Sequence, residues 1–289
     1  MAYLETRLTE DGSHTFYSQQ FKETFHSKYG AKKESEITYI KGCNIKEKLN
    51  SKNKIKVIDL CYGLGYNTAS LLDLYQKINS NVSLDIFALE IDINVPQEAI
   101  TNNLLSFYSS KTQDYLKRVV HDNKLNINNL NIELFIGDAR QTIKKIIEQN
   151  IKADAIFFDP FSPPKCPQLW TVDFLKLVVQ CLENDGILAT YSCSAAVRKA
   201  MTLVGLNIGR NYTVGKRAPG TLATKNKIPL QPLSLMELEH LQTRAAIPYR
   251  DPSLTDNNIN IIKRREKEQS LSTLESTSQW KKRWIIKEQ

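Results

Sequence analysis

Ile55-Lys-Val-Ile-Asp-Leu60-Cys-Tyr-Gly63-Leu-Gly65-Tyr-Asn67 carries a short apolar run straight into a glycine turn, and a helical pattern follows it. Residues 55–60 read as a strand, since a brief run this apolar that ends in a turn signal suits a buried sheet position. Gly63 and Gly65 let the backbone turn tightly and come close to a ligand. Leu71, Leu72 and Tyr75 then recur at helical spacing over 67–78. Working outward, the same rhythm repeats. Strands are expected at 84–89, 131–136, 153–158 and 186–191. Helices are expected over 96–121 with a break near Ser109-Ser110, through Ile143, Ile146 and Ile147, over 172–182, and over 195–204. Alternating strands and helices of this kind predict an α/β fold with a mostly parallel sheet and helices on both faces. Residues 207–214 and 221–224 read as two further strands around the turn-rich Gly215-Lys-Arg-Ala-Pro-Gly220, an antiparallel hairpin at the sheet edge.

The flanks differ from this core. Residues 1–54 form an N-terminal extension, with Thr15-Phe16-Tyr17 as a strand, before a core of 55–225. Residues 226–289 form a basic, largely helical C-terminal extension, with an amphipathic pattern at Leu235, Leu238 and Leu241. Trp280 and Trp284, at i and i+4, fit a helix docked on its own domain.

Ligands of open α/β sheets bind beyond the carboxyl ends of the strands. After the first strand comes a G-x-G turn without a third glycine at G-x-G-x-x-G spacing. After the second comes Glu90, placed to accept the hydroxyls of a ribose, with Asp92 as a stand-in. Gly137-Asp138-Ala139 follows the third. Asp138 there either caps the next helix or accepts from an adenine amine. The fourth strand ends in Asp159-Pro-Phe161-Ser-Pro-Pro-Lys165, where a carboxylate in a stiffened loop can hold an amine nucleophile or take its proton. Glycine turn, acidic strand end, Asp after glycine and acidic proline loop, in that order, describe a site for S-adenosylmethionine. Its adenosine needs ribose and adenine partners but no pyrophosphate cradle.

The chain has 289 residues and a net charge of +8. Residues 1–204 hold 24 basic and 23 acidic side chains, and residues 205–289 hold 15 and 8. A neutral body with a basic C-terminal third suggests a polyanionic partner on one side. The composition excludes a wholly disordered chain, and no apolar run is long enough to span a membrane. The N-terminus lacks a basic-then-apolar signal, so a cytoplasmic protein is expected. Cysteines 43, 61, 166, 181 and 193 are odd in number and lack a C-x-x-C pair, and histidines 14, 26, 121 and 240 have no ligand spacing to them. Neither a disulfide framework nor a metal site is expected. Cys181 and Cys193 read as small core residues.

The stretch Asp154-Ala-Ile-Phe-Phe-Asp159-Pro-Phe-Ser-Pro163-Pro-Lys165-Cys-Pro167-Gln-Leu-Trp170-Thr171 resembles the MnmC-like tRNA methyltransferases. So do Gly186-Ile-Leu-Ala-Thr190-Tyr-Ser192, the following Ala196-Val197-Arg198, and the glycine turn with Asn67. Cys61 and Pro160 stand where the family usually has glycine. The likeness covers about residues 13–225 and is most specific over 154–198. The tail Thr243-Arg-Ala-Ala-Ile-Pro-Tyr-Arg-Asp-Pro252 is similar to that of stand-alone members, which lack the FAD-dependent oxidase domain of the bifunctional ones.

The resemblance implies a class I, Rossmann-like, S-adenosylmethionine-dependent methyltransferase. Its substrate would be the amine of 5-aminomethyl(-2-thio)uridine at the wobble position, in the anticodon stem-loop of tRNA. It further implies that Gly63, Gly65 and Asn67 shape the methionine and sulfonium end of the pocket. Glu90 would hold the ribose, Asp138 and the Ala139 backbone the adenine, and Glu34 would lie near the cofactor. Asp159 would face the substrate amine, with Phe161, Lys165, Lys216 and Arg217 on the substrate side. Two other readings compete. A polyamine aminopropyltransferase shares the fold and an acidic loop after the fourth strand, but gives no reason for a basic C-terminal third. A non-catalytic RNA-binding descendant of the fold would keep the charge and lose the cofactor.

Overall fold

Three N-terminal strands, β1 (Leu4–Leu8), β2 (His14–Ser18) and β3 (Glu23–Thr24), make a small antiparallel sheet in that order. It is separate from the main sheet of the protein, whose computed structural model describes residues 4–78, 81–215 and 218–287. The main sheet comprises β4 (Lys54–Leu60), β5 (Ser83–Glu90), β6 (Lys124–Ile127), β7 (Leu130–Ile136), β8 (Ala153–Phe158), β9 (Leu182–Thr190), β10 (Asn207–Arg210) and β11 (Thr221–Thr224). Their order is β10-β11-β9-β8-β4-β5-β7-β6. β9, β8, β4, β5 and β7 are parallel neighbours, while β11 lies antiparallel beside β9 and β10 antiparallel beside β11. The expected terminal hairpin is therefore present, with its second strand the one that joins the sheet.

Register sets where the site lies. Leu60 is level with both Leu89 and Phe158, and Glu90 with Ile136. The residues that follow β4, β5, β7 and β8 thus emerge along one edge. Apolar clusters cover the sheet on both faces, one holding Val57, Ile86 and Phe157, the other Ile58, Ile156 and Phe158. Alternate residues of β4 and β8 go to opposite clusters, as strand geometry requires.

Several details depart from the sequence reading. β6 was not anticipated; it pairs antiparallel with β7 through the two-residue turn Asn128-Asn129, where Asn128 takes φ 49°. Asparagine tolerates that left-handed conformation, so the short β6 closes a hairpin with β7 without glycine. The 96–121 region does break as expected near Ser109-Ser110, into Asn94–Thr101 and Ser110–Asp122, the second capped by the Ser109 hydroxyl at Thr112 N. Cys181 is buried, but Cys193 is exposed, because it falls in the connection between β9 and the helix Ala195–Leu203. Among the described residues all five cysteines are free thiols, and no helix is long and apolar enough to cross a membrane.

Beyond β11 the chain forms helices at Leu235–His240, Asn258–Leu271 and Thr277–Lys287. The first does not bury the expected leucine face, since Leu235 and Leu238 are exposed and only Leu241 is covered. It is held instead by a capping box between Ser234 and Glu237, and Glu237 also binds the buried Arg198 at 2.9 Å. Trp280 is buried and stacks on His240 with centroids 4.4 Å apart, and Trp284 donates to Glu239. This tryptophan pair holds the last helix to the protein.

Candidate active site

The turn after β4 carries three consecutive odd-numbered residues at positive φ: Cys61 at 72°, Gly63 at 55° and Gly65 at 87°. Glycine takes such angles freely, whereas Cys61 pays a steric cost there. The turn brings the Gly63 N–H to Oε2 of Glu90 at 2.7 Å. The other Glu90 oxygen accepts from the N–H groups of Ile91 and Asp92. A carboxylate has about four acceptor sites, so the backbone takes most of the capacity of Glu90 and leaves room for about one hydroxyl. Burial, with the charge of Asp92 adding to it, raises the carboxyl above its usual range.

Asp138 makes both of the bonds expected of a cap and more. It accepts from Arg140 N at 2.9 Å and forks onto the Arg140 guanidinium, with Nη2 at 2.6 Å. Its carboxylate still lines the site cleft, as does Ala139.

Asp159 leaves β8 at the centre of the edge. Its Oδ2 accepts from Asn67 Nδ2 at 3.0 Å, in the first turn of the helix Tyr66–Ile78. Glu34 and Tyr39 approach from the helical segment 31–41, whose second half, Ser35–Lys41, widens into a π-helix, a form frequent at functional sites. Burial and the neighbouring Glu34 charge push Asp159 up to about 8, against the hydrogen bonding of Tyr39 and Asn67. The Tyr39 hydroxyl lies beside this carboxylate, buried, yet outside strict hydrogen-bond geometry.

Two clefts meet here. One is lined by Gly63, Glu90, Asp92, Asp138, Ala139, Asp159 and Phe161 among others. The other is lined by Glu23, Phe25, His26, Glu34, Asp159, Phe161 and Tyr191 with their neighbours. Phe25, Asp159 and Phe161 belong to both. The structure thus gathers Gly63, Glu90, Asp138, Ala139, Asp159 and Phe161 around one cleft. Glu34 is on the adjoining one, where its Oε2 accepts from Ser27 N. Asn67 reaches the site through Asp159, and Gly65 shapes the turn without lining a cleft. Lys165 is exposed on the proline loop outside both linings. Lys216 and Arg217 lie outside the described residues.

The proline loop is tightly held. Trp170 Nε1 donates to the Phe161 carbonyl, the Tyr191 hydroxyl donates to that of Pro160, and Ser162 donates twice to Glu23 Oε2. Phe161 stacks on Phe21 at 4.3 Å and meets Phe25 edge-on at 4.8 Å. Sequence reasoning missed Phe21, Glu23, Phe25, His26, Tyr39 and Tyr191. The only signal was the density of aromatic residues in Phe21-Lys-Glu-Thr-Phe25-His26. It also passed over Asp59, wholly buried and raised to about 7 by burial, whose Oδ2 accepts from Thr68 while Oδ1 has no partner.

Among the described residues no lysine or arginine lines either cleft, whereas Glu23, Glu34, Glu90, Asp92, Asp138 and Asp159 do. Such a site disfavours a polyanion and attracts cations. The fit to S-adenosylmethionine is therefore good: a cationic sulfonium and an α-ammonium among carboxylates, a glycine turn open to close approach, and the buried Asn67 Oδ1 still unpartnered.

Comparisons with known proteins agree. The family described as S-adenosyl-L-methionine-dependent methyltransferase matches residues 102–226. An uncharacterised protein of Methanocaldococcus jannaschii is 32% identical over 268 residues, covering 89% of this chain and 70% of that one. The crystal structure of MnmC2 from Aquifex aeolicus superposes with a TM-score of 0.82 at 29% identity, over 93% of this chain and 86% of that one. The chain belongs to the MnmC-type methyltransferase family. It is an S-adenosylmethionine-dependent enzyme of the class I fold, and this excludes the non-catalytic reading. The bifunctional MnmC protein of Acidovorax, named for tRNA 5-methylaminomethyl-2-thiouridine biosynthesis, is 26% identical over 207 residues. The methyltransferase spans only about a third of that relative, 32% of its length.

Proposed function

We propose that this methyltransferase converts the primary amine of 5-aminomethyl(-2-thio)uridine, at the wobble position of tRNA, to the methylamine. The observation that carries the reading is the meeting of two acidic clefts at Asp159 and Phe161. S-adenosylmethionine supplies an electrophilic methyl group on a cationic sulfur. Gly63, Gly65 and Asn67 would hold its methionine and sulfonium end, Glu90 its ribose, Asp138 and the Ala139 backbone its adenine, with Glu34 balancing positive charge nearby. The second cleft would then admit the amine.

An alkylammonium has no lone pair and must lose a proton before it can attack. A carboxylate raised to about 8 has a proton affinity suited to that task near neutral pH. Asn67 fixes one oxygen of Asp159, and Phe161, braced by Phe21 and Trp170, walls the approach. Holding the amine in line is worth up to about 7–11 kcal/mol in favourable cases. A wobble base lies in a single-stranded loop, so splaying it into the cleft is inexpensive beside opening a duplex.

The phosphate grip needs revision from the charge count alone. Much of the arginine in the C-terminal third is committed internally: Arg210 to Glu237, Arg250 to Glu268, Arg264 to Asp256, Arg265 to backbone carbonyls, and Arg283 to Glu239 and Glu275. We assign phosphate contacts to lysines instead, with Lys165 at the loop and Lys263, Lys267, Lys281 and Lys282 on the last helices, joined by Lys216 and Arg217. Residues 55–225 would be the catalytic core, and 1–54 and 226–289 extensions that wall the site and meet the anticodon stem-loop.

The test is nucleoside mass spectrometry. Purified protein, S-adenosylmethionine and tRNA bearing aminomethyluridine should yield methylaminomethyluridine. The acidic clefts would suit a polyamine as well, so decarboxylated cofactor and putrescine form the second arm. An aminopropylated product there, with tRNA unchanged, would overturn the reading.

A further inference from the structure

The tail Thr243-Arg-Ala-Ala-Ile-Pro-Tyr-Arg-Asp251-Pro has no part in the chemistry above, yet it ends against Arg140, whose guanidinium holds the cleft residue Asp138. Tyr249 is buried and bridges to Thr171, and its carbonyl accepts from Val172 N just after the proline loop. Asp251 is fully buried. Its Oδ1 accepts from Ser253 Oγ and from the N–H groups of Thr255 and Asp256, which closes a tight turn. Its Oδ2 accepts from Arg140 Nη1 at 2.8 Å. The same Nη1 donates to the Asp256 carbonyl at 2.9 Å, while Nε and Nη2 of Arg140 face Asp138. Asn258 then donates to the Lys165 carbonyl of the proline loop.

From this geometry we infer that the segment 249–258 is a strap that tunes the adenine end of the cofactor cleft, with Arg140 and Asp251 as positioning residues acting through Asp138. The inference rests on the assignment of Asp138 to the adenine amine made above. One guanidinium is shared between two carboxylates, so one negative charge stays uncompensated. Three N–H donors of Arg140 (N, Nε and Nη2) reach the two oxygens of Asp138 and leave room for about one more donor, while Asp251 anchors the far Nη1 and so fixes the plane of the guanidinium. An exocyclic amine can then donate to Asp138, whereas a 6-oxo group in its place would set one oxygen against another. A site built to bind a donor rejects the analogue that lacks it. Without Asp251 the guanidinium would lose its anchor at Nη1, and Asp138 would lose its fixed orientation toward the adenine amine.

The experiment compares binding of S-adenosylhomocysteine and S-inosylhomocysteine by calorimetry, with melting temperatures recorded alongside. Asp251→Asn keeps the Oδ1 acceptor of the turn and presents an N–H₂ group to Arg140. It should weaken S-adenosylhomocysteine binding by about ten-fold, a usual size for coupling within one network. S-inosylhomocysteine should change little, so the preference for adenine shrinks. Arg140→Lys, which keeps a charge but cannot bridge both carboxylates, should give the same shift and serves if Asp251→Asn does not fold. Glu268→Gln, which cuts the strap's ion pair at Arg250, should leave both affinities unchanged. Equal losses for both ligands, or an unchanged ratio, would make the strap merely structural and overturn the inference. A wild-type protein with no preference for adenine would overturn the Asp138 assignment, and the strap with it.

Discussion

Asn67 Nδ2 donates to Asp159 Oδ2 at 3.0 Å, which ties the helix after the glycine turn to the carboxylate after β8. Residues 92 positions apart in the chain thus set one oxygen of the proposed base, at a residue that lines both clefts. Removing the carboxylate should separate binding from chemistry. Asp159→Ala is expected to keep tRNA affinity and lower turnover by about 10²–10⁴-fold, the usual range for general base catalysis. Near-normal turnover in a single-turnover assay would show that another group takes the proton.

The raised proton affinity of Asp159 has a signature in cofactor binding. Its carboxyl titrates at about 8 with the clefts empty of positive charge. A sulfonium nearby favours the ionised form and pulls that value down. At pH 7, S-adenosylmethionine should therefore release close to one more proton on binding than S-adenosylhomocysteine, whose sulfur is neutral. Calorimetry in buffers of different ionisation enthalpy measures this, and Asp159→Asn should abolish the difference.

The same shift opposes stability. An Asp whose carboxyl titrates at about 8 when folded and near 3.9 when unfolded holds its proton only in the folded state between those values. The folded state binds more protons there, so stability falls as pH rises through the window. Asp59, at about 7, acts in the same direction. Asp159→Asn should raise the melting temperature more at pH 8 than at pH 5; an equal rise at both would indicate a simple packing effect.

Cys61 holds φ 72°, a conformation that glycine adopts freely and other residues do not. Left-handed backbone costs a non-glycine residue about 1–2 kcal/mol. Cys61→Gly should therefore stabilise the protein by about 1 kcal/mol, and Cys61→Val should destabilise it by at least as much, because a β-branched side chain suits that region poorly. Denaturant melts of the two variants test the order, and a Gly variant less stable than wild type would mean that the thiol's packing outweighs the strain.

Arg198 is 3% exposed and structural in its contacts. It donates to Thr221, Glu237 and the carbonyls of Pro219 and Gly220. Arg198→Met leaves Glu237 without its buried partner and should cost about 3–5 kcal/mol. Lys165→Gln, on an exposed lysine, should spare stability and lower the salt dependence of tRNA binding by about one unit of slope. The reverse pattern would exchange the two roles.

The strands of the parallel sheet and the residues at their ends were legible in the sequence for a physical reason. Buried parallel strands are continuous apolar runs, and the ligand-facing residues follow them directly in the chain. The turn at 61–65, Glu90, Asp138 and Asp159 are local features of that kind. The second cleft was not legible, since it is built from Phe25 and His26, Glu34, and Tyr191, which belong to three separate segments. No periodicity relates an N-terminal loop to the end of β9; packing alone brings them together. Charge shows the same division. Counting residues finds the excess beyond 204, but it does not distinguish an arginine held by Glu237 or Asp256 from a lysine that meets solvent. That depends on which carboxylates the fold sets within reach, and distances of about 3 Å exist only once the chain is folded.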